Sequence, residues 1–202
     1  VLMLALEWSH AFRGLPFVHR IDGAWFQSVT LRTAGFNSVD FAALQPATLW
    51  VMLAFMFVGG SPGGTAGGVK ITTAALLVAA IIAEVRGDDT VISHGRRLGG
   101  RVVRQSLAVL AAALALVVGA TMALLILAPQ FTSDQVLFEV VSAFATVGLS
   151  TGITAQLPVA AQLILVVLMF AGRVGPLALA AALAARSRGR QYDYPEERPF
   201  IG

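Results

Sequence analysis

Residues 105–133 carry no charged side chain, and that restricts the fold more than any other feature of the chain. The stretch exceeds the ~20 apolar residues an α-helix needs to cross a bilayer. Its length and mid-chain position exclude a signal peptide. In hydrocarbon every backbone N–H and C=O must be bonded within the protein, which leaves helices or a closed barrel. The composition agrees, with 57% hydrophobic and 12% charged residues, against roughly 25% charged in a soluble domain. The expected class is an all-α integral membrane protein, multi-pass and surrounded by lipid bilayer.

A sequence pI near 10.2 raises nucleic-acid binding, but the formal net charge is only +3 and the arginines are clustered. Arg86, Arg96, Arg97, Arg101 and Arg104 lie in one inter-span loop, and Arg186, Arg188, Arg190 and Arg198 in the tail. Short Arg-rich segments beside spans stay on the cytoplasmic side, so loop and C-terminus are both expected inside. No aromatic residues alternate with these arginines, and no nucleic-acid partner is expected. The chain has no cysteine, its three histidines lack ligand spacing, and Glu7, Glu84 and Glu139 are isolated. Nothing here resembles a catalytic constellation, and the chain is not expected to be an enzyme.

Along the chain, 1–12 reads as the end of an apolar helix and 13–21 as a polar connection. A short helix is predicted over 23–32, N-capped by Asp22, with Trp25, Phe26 and Val29 on one face. Apolar segments follow at 41–58, with Pro46 near the start where proline is tolerated, and at 71–83. A charged loop over 84–104 precedes a span over 105–128. Thr132-Ser133-Asp134 caps a second short helix over 135–144. A last span runs from Pro158 to Ala185, interrupted at 172–176. Residue 1 falls inside an apolar segment, so the chain is expected to be part of a longer protein.

The same order therefore occurs twice: span, short helix opened by an acid, Thr-x-Gly-apolar turn, span. The turns are Thr33-Ala34-Gly35-Phe36 and Thr146-Val147-Gly148-Leu149. This divides the chain into units 1–98 and 99–202, parallel rather than inverted, both turns entering from the outer face. A short helix entering from outside points its carbonyl end, equivalent to about half a negative charge, into the membrane. Carbonyls of the following turn can replace an ion's hydration shell, and glycine supplies the dihedrals that aim them. Hard oxygens without a carboxylate cluster favour a weakly hydrated monovalent cation over Mg²⁺ or Ca²⁺. Arg32 beside the first turn is expected to pair with Asp40 or Glu139.

The run Gly59 to Lys70 holds six glycines and Pro62, which would cost a continuous helix on the order of 9 kcal/mol. The span must break there. A phosphate-binding loop fails, because Val69 separates Gly68 from Lys70 and the flanks are spans. A flexible plug below the turns is expected instead, with Gly63, Gly64, Thr65, Gly67, Gly68 and Lys70 as gating residues. Arg173, deep in the last span, should face the pore or a partner, since an Arg at the bilayer centre costs ~2.5–3.5 kcal/mol. Two readings remain open from the residues: an ion-conducting pore, and a secondary transporter with broken helices.

Four ordered motifs, Thr30 to Asp40, Gly59 to Lys70, Ser142 to Ser150 and Gly172-Arg173-Val174-Gly175-Pro176, resemble the Trk/Ktr potassium-transporter family across nearly the whole chain. The resemblance implies four span–pore loop–span repeats with pseudo-fourfold symmetry about a K⁺ pathway, of which these residues are the third and fourth. Half a filter should not conduct alone. The resemblance further implies K⁺ bound by backbone carbonyls of Thr33, Ala34, Gly35, Phe36, Thr146, Val147, Gly148 and Leu149, and gating by residues 59–70 with Arg173. It also implies a homodimer in the bacterial plasma membrane, on a cytosolic nucleotide-binding regulatory ring (TrkA/KtrA-like). No cofactor is expected in this chain itself, nucleotide belonging to that ring.

Overall fold

A computed structural model describes residues 2–39, 41, 44–61, 66–88, 90–93 and 96–175. Its helices are α1 (Leu2–Glu7), α2 (Phe17–Thr30), α3 (Pro46–Phe57), α4 (Ile71–Arg86), α5 (Gly100–Leu127), α6 (Ser133–Phe144) and α7 (Val159–Val174). Between α4 and α5 lies a small antiparallel hairpin, β1 (Ile92–Ser93) and β2 (Arg96–Arg97), pairing Ile92 with Arg97 and Ser93 with Arg96. It falls in the loop read from the sequence as merely charged.

The short helix α6 is the centre of the packing. It touches α5 and α7 of its own half and α3 of the other, and every residue from Phe138 to Phe144 is buried. Phe138 packs on Phe41 with ring centroids 5.6 Å apart, and Phe144 stacks on Phe57 at 6.1 Å. α6 also buries the polar Glu139 and Ser142, which in such a setting are expected to be hydrogen-bonded. Its N-terminus is built from a capping box: Thr132 Oγ1 accepts from Gln135 N at 3.4 Å, and Gln135 Oε1 accepts from Thr132 N at 3.2 Å. Thr132→Ala should cost about 1 kcal/mol, read as a lowered thermal midpoint in detergent, with Thr132→Ser close to the parent.

α5 is 28 residues long, about 42 Å at 1.5 Å per residue. Among the described residues it alone is long and apolar enough, by length and composition, to cross a membrane; α3 and α7 are shorter apolar helices. Leu107, Leu114, Val118, Met122 and Ile126 on α5, and Leu163, Val166, Val167 and Phe170 on α7, are exposed. Such rows of large apolar side chains suit acyl chains rather than water.

Several boundaries differ from expectation. α2 begins at Phe17, not at 23: Pro16 supplies the N-cap with φ −57° and ψ 149°. Phe17 packs edge-on against Trp8 at 6.0 Å, and the Arg20 guanidinium lies 4.8 Å over the same ring. These contacts start the helix early and leave Asp22 inside it rather than capping it. Trp25, Phe26 and Val29 do share a face, but an exposed one; Ala24, Gln27 and Thr30 face inward. α5 starts at Gly100, so Arg101 and Arg104 are helical. Pro46 occupies the first turn of α3 as predicted, and the span does break between α3 and α4.

A buried carboxylate anchors α1 to α3. Glu7 accepts from Gln45 N at 3.0 Å, Ala11 N at 3.3 Å and the Thr48 hydroxyl, while Gln45 Nε2 donates to Leu6 O at 3.0 Å. A helix N-terminus offers unpaired N–H groups and a partial positive charge, and Glu7 answers both. From the sequence this acid had appeared isolated.

Candidate ion site at the two glycine turns

At the end of α2 the chain closes with Ala34 N and Gly35 N both donating to Thr30 O, at 3.2 and 3.4 Å. At the end of α6, Thr146 N donates to Ala143 O at 3.0 Å and Val147 N to Ser142 O at 2.9 Å. Thr33 and Thr146 then take φ of 68° and 54°, the only described non-glycine residues in the left-handed region, and Gly35 and Gly148 take 73° and 90°. Ala34 and Val147 between them keep negative φ. Each turn thus alternates the sign of φ over three residues. In an extended chain successive carbonyls point to opposite sides, and reversing the handedness of alternate residues brings them toward one side. A β-branched residue in the left-handed region is strained and persists only where its surroundings hold it.

Those surroundings are similar in the two turns. Thr30 Oγ1 donates to Phe36 O at 2.8 Å and accepts from Phe36 N at 2.9 Å. Ser142 Oγ donates to Leu149 O at 2.5 Å. In each case a hydroxyl in the last turn of the short helix holds the residue just after the turn's glycine. One helical turn earlier, Gln27 Oε1 accepts from Ser38 Oγ at 3.1 Å. Glu139 accepts from Ser150 Oγ at 2.6 Å, Thr151 N at 2.9 Å and Thr154 Oγ1 at 2.7 Å. Sequence reasoning assigned no role to Thr30, Gln27 or Ser142 as supports of the turns, and read Glu139 only as a candidate partner of Arg32. The signal was present as Gln27-x-x-Thr30 and Glu139-x-x-Ser142, one before each glycine turn. Because Glu139 is engaged behind its own turn, it does not pair with Arg32, which is exposed; Asp40, the other expected partner, lies outside the described residues.

The two turns meet backbone to backbone. A Cβ placed on Gly35 would collide with the Val147 carbonyl oxygen and stand 3.5 Å from Gly148 Cα; one on Gly148 would lie 3.8 Å from Gly35 Cα. All eight residues of the two tetrapeptides are thereby brought to one place, although Phe36 turns its ring outward and Leu149 is buried.

The glycine run leaves α3 and returns to α4 through a neck of main-chain bonds. Gly59 N donates to Val69 O at 2.7 Å and Val69 N to Phe57 O at 3.2 Å, with Val58 and Val69 forming a parallel bridge. These bonds close the base of the run; its residues 62–65 lie outside the described residues. Gly67 N donates to Thr146 Oγ1 at 3.1 Å. Gly68, at φ 72°, packs so closely that a Cβ would reach Ala145 Cα at 3.3 Å. The loop is therefore seated on the second turn. Lys70 Nζ donates to the Ala66 carbonyl, so this ammonium folds onto its own loop. Gly63, Gly64 and Thr65 lie outside the described residues.

Arg173 occupies the last turn of α7. It lines a cavity of about 570 Å³ together with Thr146, Gly148, Glu139 and Phe170. The preceding residue, Gly172, abuts the Phe144 carbonyl with no room for a methyl group between them.

A family model described as a cation transport protein, TrkH, matches residues 1–188. The Ktr system potassium uptake protein D of Bacillus subtilis is 36% identical over 99% of this chain and 44% of its own length. The Ktr system potassium uptake protein B of Vibrio alginolyticus is 39% identical over 89% of this chain and 39% of its own length. The crystal structure of the potassium transporter TrkH from Vibrio parahaemolyticus superposes with a TM-score of 0.73 at 21% identity. It covers 92% of this chain and 41% of that one. The chain thus spans less than half the length of these relatives.

Proposed function

Because this chain belongs to the TrkH family of membrane cation transport proteins, we propose that it contributes two of the repeats surrounding a potassium uptake pathway. In this reading the units 1–98 and 99–202 are the third and fourth span–pore loop–span repeats. Thr33 to Phe36 and Thr146 to Leu149 supply backbone carbonyls to the ion. The K⁺ is cargo rather than a resident group.

The observation that carries the reading is the backbone contact between Gly35 and the Val147–Gly148 peptide. Two unrelated helix caps would have no reason to converge with no side chain between them. Two quarters of one oxygen ring must do so. The alternation of φ at both turns supports it further, since an alkali ion is desolvated by several carbonyls from one side at once. The broken-helix alternative often has halves of opposite orientation around a substrate site, and its helices are interrupted spans rather than short helices ending in a turn. Here both short helices end at the same point.

The loop 59–70 acts as the gate in this reading, with Gly67 and Gly68 in contact with the inner side of the second turn. Arg173, in the same cavity as Thr146 and Gly148, places a positive charge where the leaving cation would compete with it. The exposed arginines 96, 97, 101 and 104 support placing the α4–α5 connection and the C-terminus on the cytoplasmic side of a bacterial plasma membrane. A homodimer on a nucleotide-binding cytosolic ring completes the proposal. The B. subtilis and V. alginolyticus relatives carry names of multi-component systems.

Expression from the complete reading frame should restore growth of a potassium-uptake-deficient cell at low K⁺. Correctly inserted protein that fails to do so rejects the reading. Arg173→Ala in the same protein should raise unstimulated K⁺ uptake at least about fivefold, the lower range of a coupling between sites. Unchanged flux with unchanged ion competition removes Arg173 from the gate.

A further inference from the structure

The side chain of Glu139 is 4% exposed, and although it borders the same cavity as Thr146 and Gly148, its carboxylate oxygens are taken up by the chain leaving the second glycine turn. Its Oε1 accepts from Ser150 Oγ at 2.6 Å, Thr151 N at 2.9 Å and Thr151 Oγ1 at 3.2 Å, and its Oε2 accepts from Thr154 Oγ1 at 2.7 Å. With Ser142 holding Leu149 O, two side chains of α6 fix the chain leaving the turn at Leu149, Ser150, Thr151 and Thr154. Hydrogen bonds to an ionised acceptor are the short, strong ones. A chain pinned at four residues by the buried half of α6, Phe138–Phe144, has little freedom to adjust.

The first turn has its own clamping hydroxyl, Thr30 on Phe36 N and O, but differs one helical turn earlier. Gln27 occupies the matching place in α2, three residues before the clamping hydroxyl, and is fully buried. It receives one side-chain bond, from Ser38 Oγ, and its Nε2 has no partner among the described residues. A buried donor left unmatched is a weakly determined position. The two turns touch at Gly35 and Val147, so the better-held one acts as the template against which the other settles.

We propose that Glu139 is a positioning residue for alkali-ion discrimination. By holding Ser150, Thr151 and Thr154 it sets the placement of the Gly148 carbonyl, making the second turn the stiff part of the oxygen ring and the first the compliant part. The inference rests on the potassium reading above. Ion choice by an oxygen cage requires the oxygens to be held within about 0.5 Å, which is the precision a four-donor carboxylate can impose and a single amide contact cannot.

The test uses the complete protein in proteoliposomes, measuring K⁺ and Na⁺ uptake in competition. Glu139→Ala should lower the K⁺/Na⁺ ratio about tenfold or more, while Glu139→Gln, whose amide oxygen can keep the three Oε1 bonds, stays within about threefold of the parent. Gln27→Leu, which removes one bond and the unpaired nitrogen, should change the ratio by less than about threefold. If Glu139→Ala does not assemble, Thr154→Val decides instead. It deletes the Oε2 bond, together with the Thr154 Oγ1 contact to Ser150 Oγ at 2.9 Å, leaves the Oε1 bonds in place, and should lower the ratio with α6 intact. A parent-like ratio in Glu139→Ala, or in Thr154→Val when that variant decides, overturns the proposal. So does a Gln27→Leu effect equal to that at 139. A parent protein that carries no K⁺ at all rejects the potassium reading itself, a result separate from any of these.

Discussion

Alanine at Gly35 is expected to abolish potassium uptake by the complete protein. The glycine has φ 73°, a conformation that costs an L-residue roughly 1–2 kcal/mol. That strain is the smaller part. The added methyl would enter the Val147 carbonyl, with Val147 C at 3.3 Å and Gly148 Cα at 3.5 Å behind it. These are backbone atoms held by the bond from Val147 N to Ser142 O, so no side chain can swing aside. The two turns must separate, and the oxygens of both are then displaced. Uptake should fall well beyond about tenfold, a factor that 1.4 kcal/mol alone would produce. Gly148 gives the internal control. Its φ of 90° is no less demanding, but a methyl there meets only Gly35 Cα, at 3.8 Å. Gly148→Ser should therefore insert, carry current and lose K⁺ over Na⁺ discrimination. Equal behaviour of the two variants in Rb⁺ uptake and Na⁺ competition argues against the contact between the turns.

Thr146→Val should release the glycine loop. The Gly67 amide is buried and donates to Thr146 Oγ1. Valine keeps the shape and removes the acceptor, and a buried N–H left unsatisfied costs about 1–3 kcal/mol. That cost falls only on the state in which the loop is seated. Its population relative to the released state should drop by about tenfold or more, read as K⁺ leak from proteoliposomes without any regulatory partner. Thr146→Ser keeps the oxygen, relieves β-branching at φ 54°, and should leak no more than the parent. A fall in flux in the valine variant, with no leak, assigns the hydroxyl to the ion rather than to the loop.

Much of the framework was legible in local chemistry. Thr132 and Gln135 stand at capping-box spacing, Pro46 marks the start of α3, and six glycines forbid a helix through 59–70. What escaped had two physical origins. The outward face of α2 carries Trp25, Phe26 and Val29 because the surroundings of a membrane helix are themselves apolar, so hydrophobicity does not tell inside from outside. Burial instead selects Ala24, Gln27 and Thr30, the small and hydrogen-bonding residues. The second origin is distance along the chain. Glu7 and Glu139 look isolated in sequence because their partners are backbone amides and hydroxyls, which carry no charge signature. Glu7 reaches Gln45 and Thr48, and no local pattern announces such a bond. The left-handed threonines were invisible for a related reason: intrinsic preference argues against them, and only the surrounding hydrogen bonds impose them.

The contact of Gly172 with the Phe144 carbonyl has a mechanical meaning. With main chain resting on main chain, α7 and the end of α6 share a rigid joint that has no compressible layer. A displacement of the end of α7 would be delivered undamped to the turn that carries Thr146 and Gly148. Movement of α7 and the geometry of the second turn would then be linked through a single hydrogen-sized side chain.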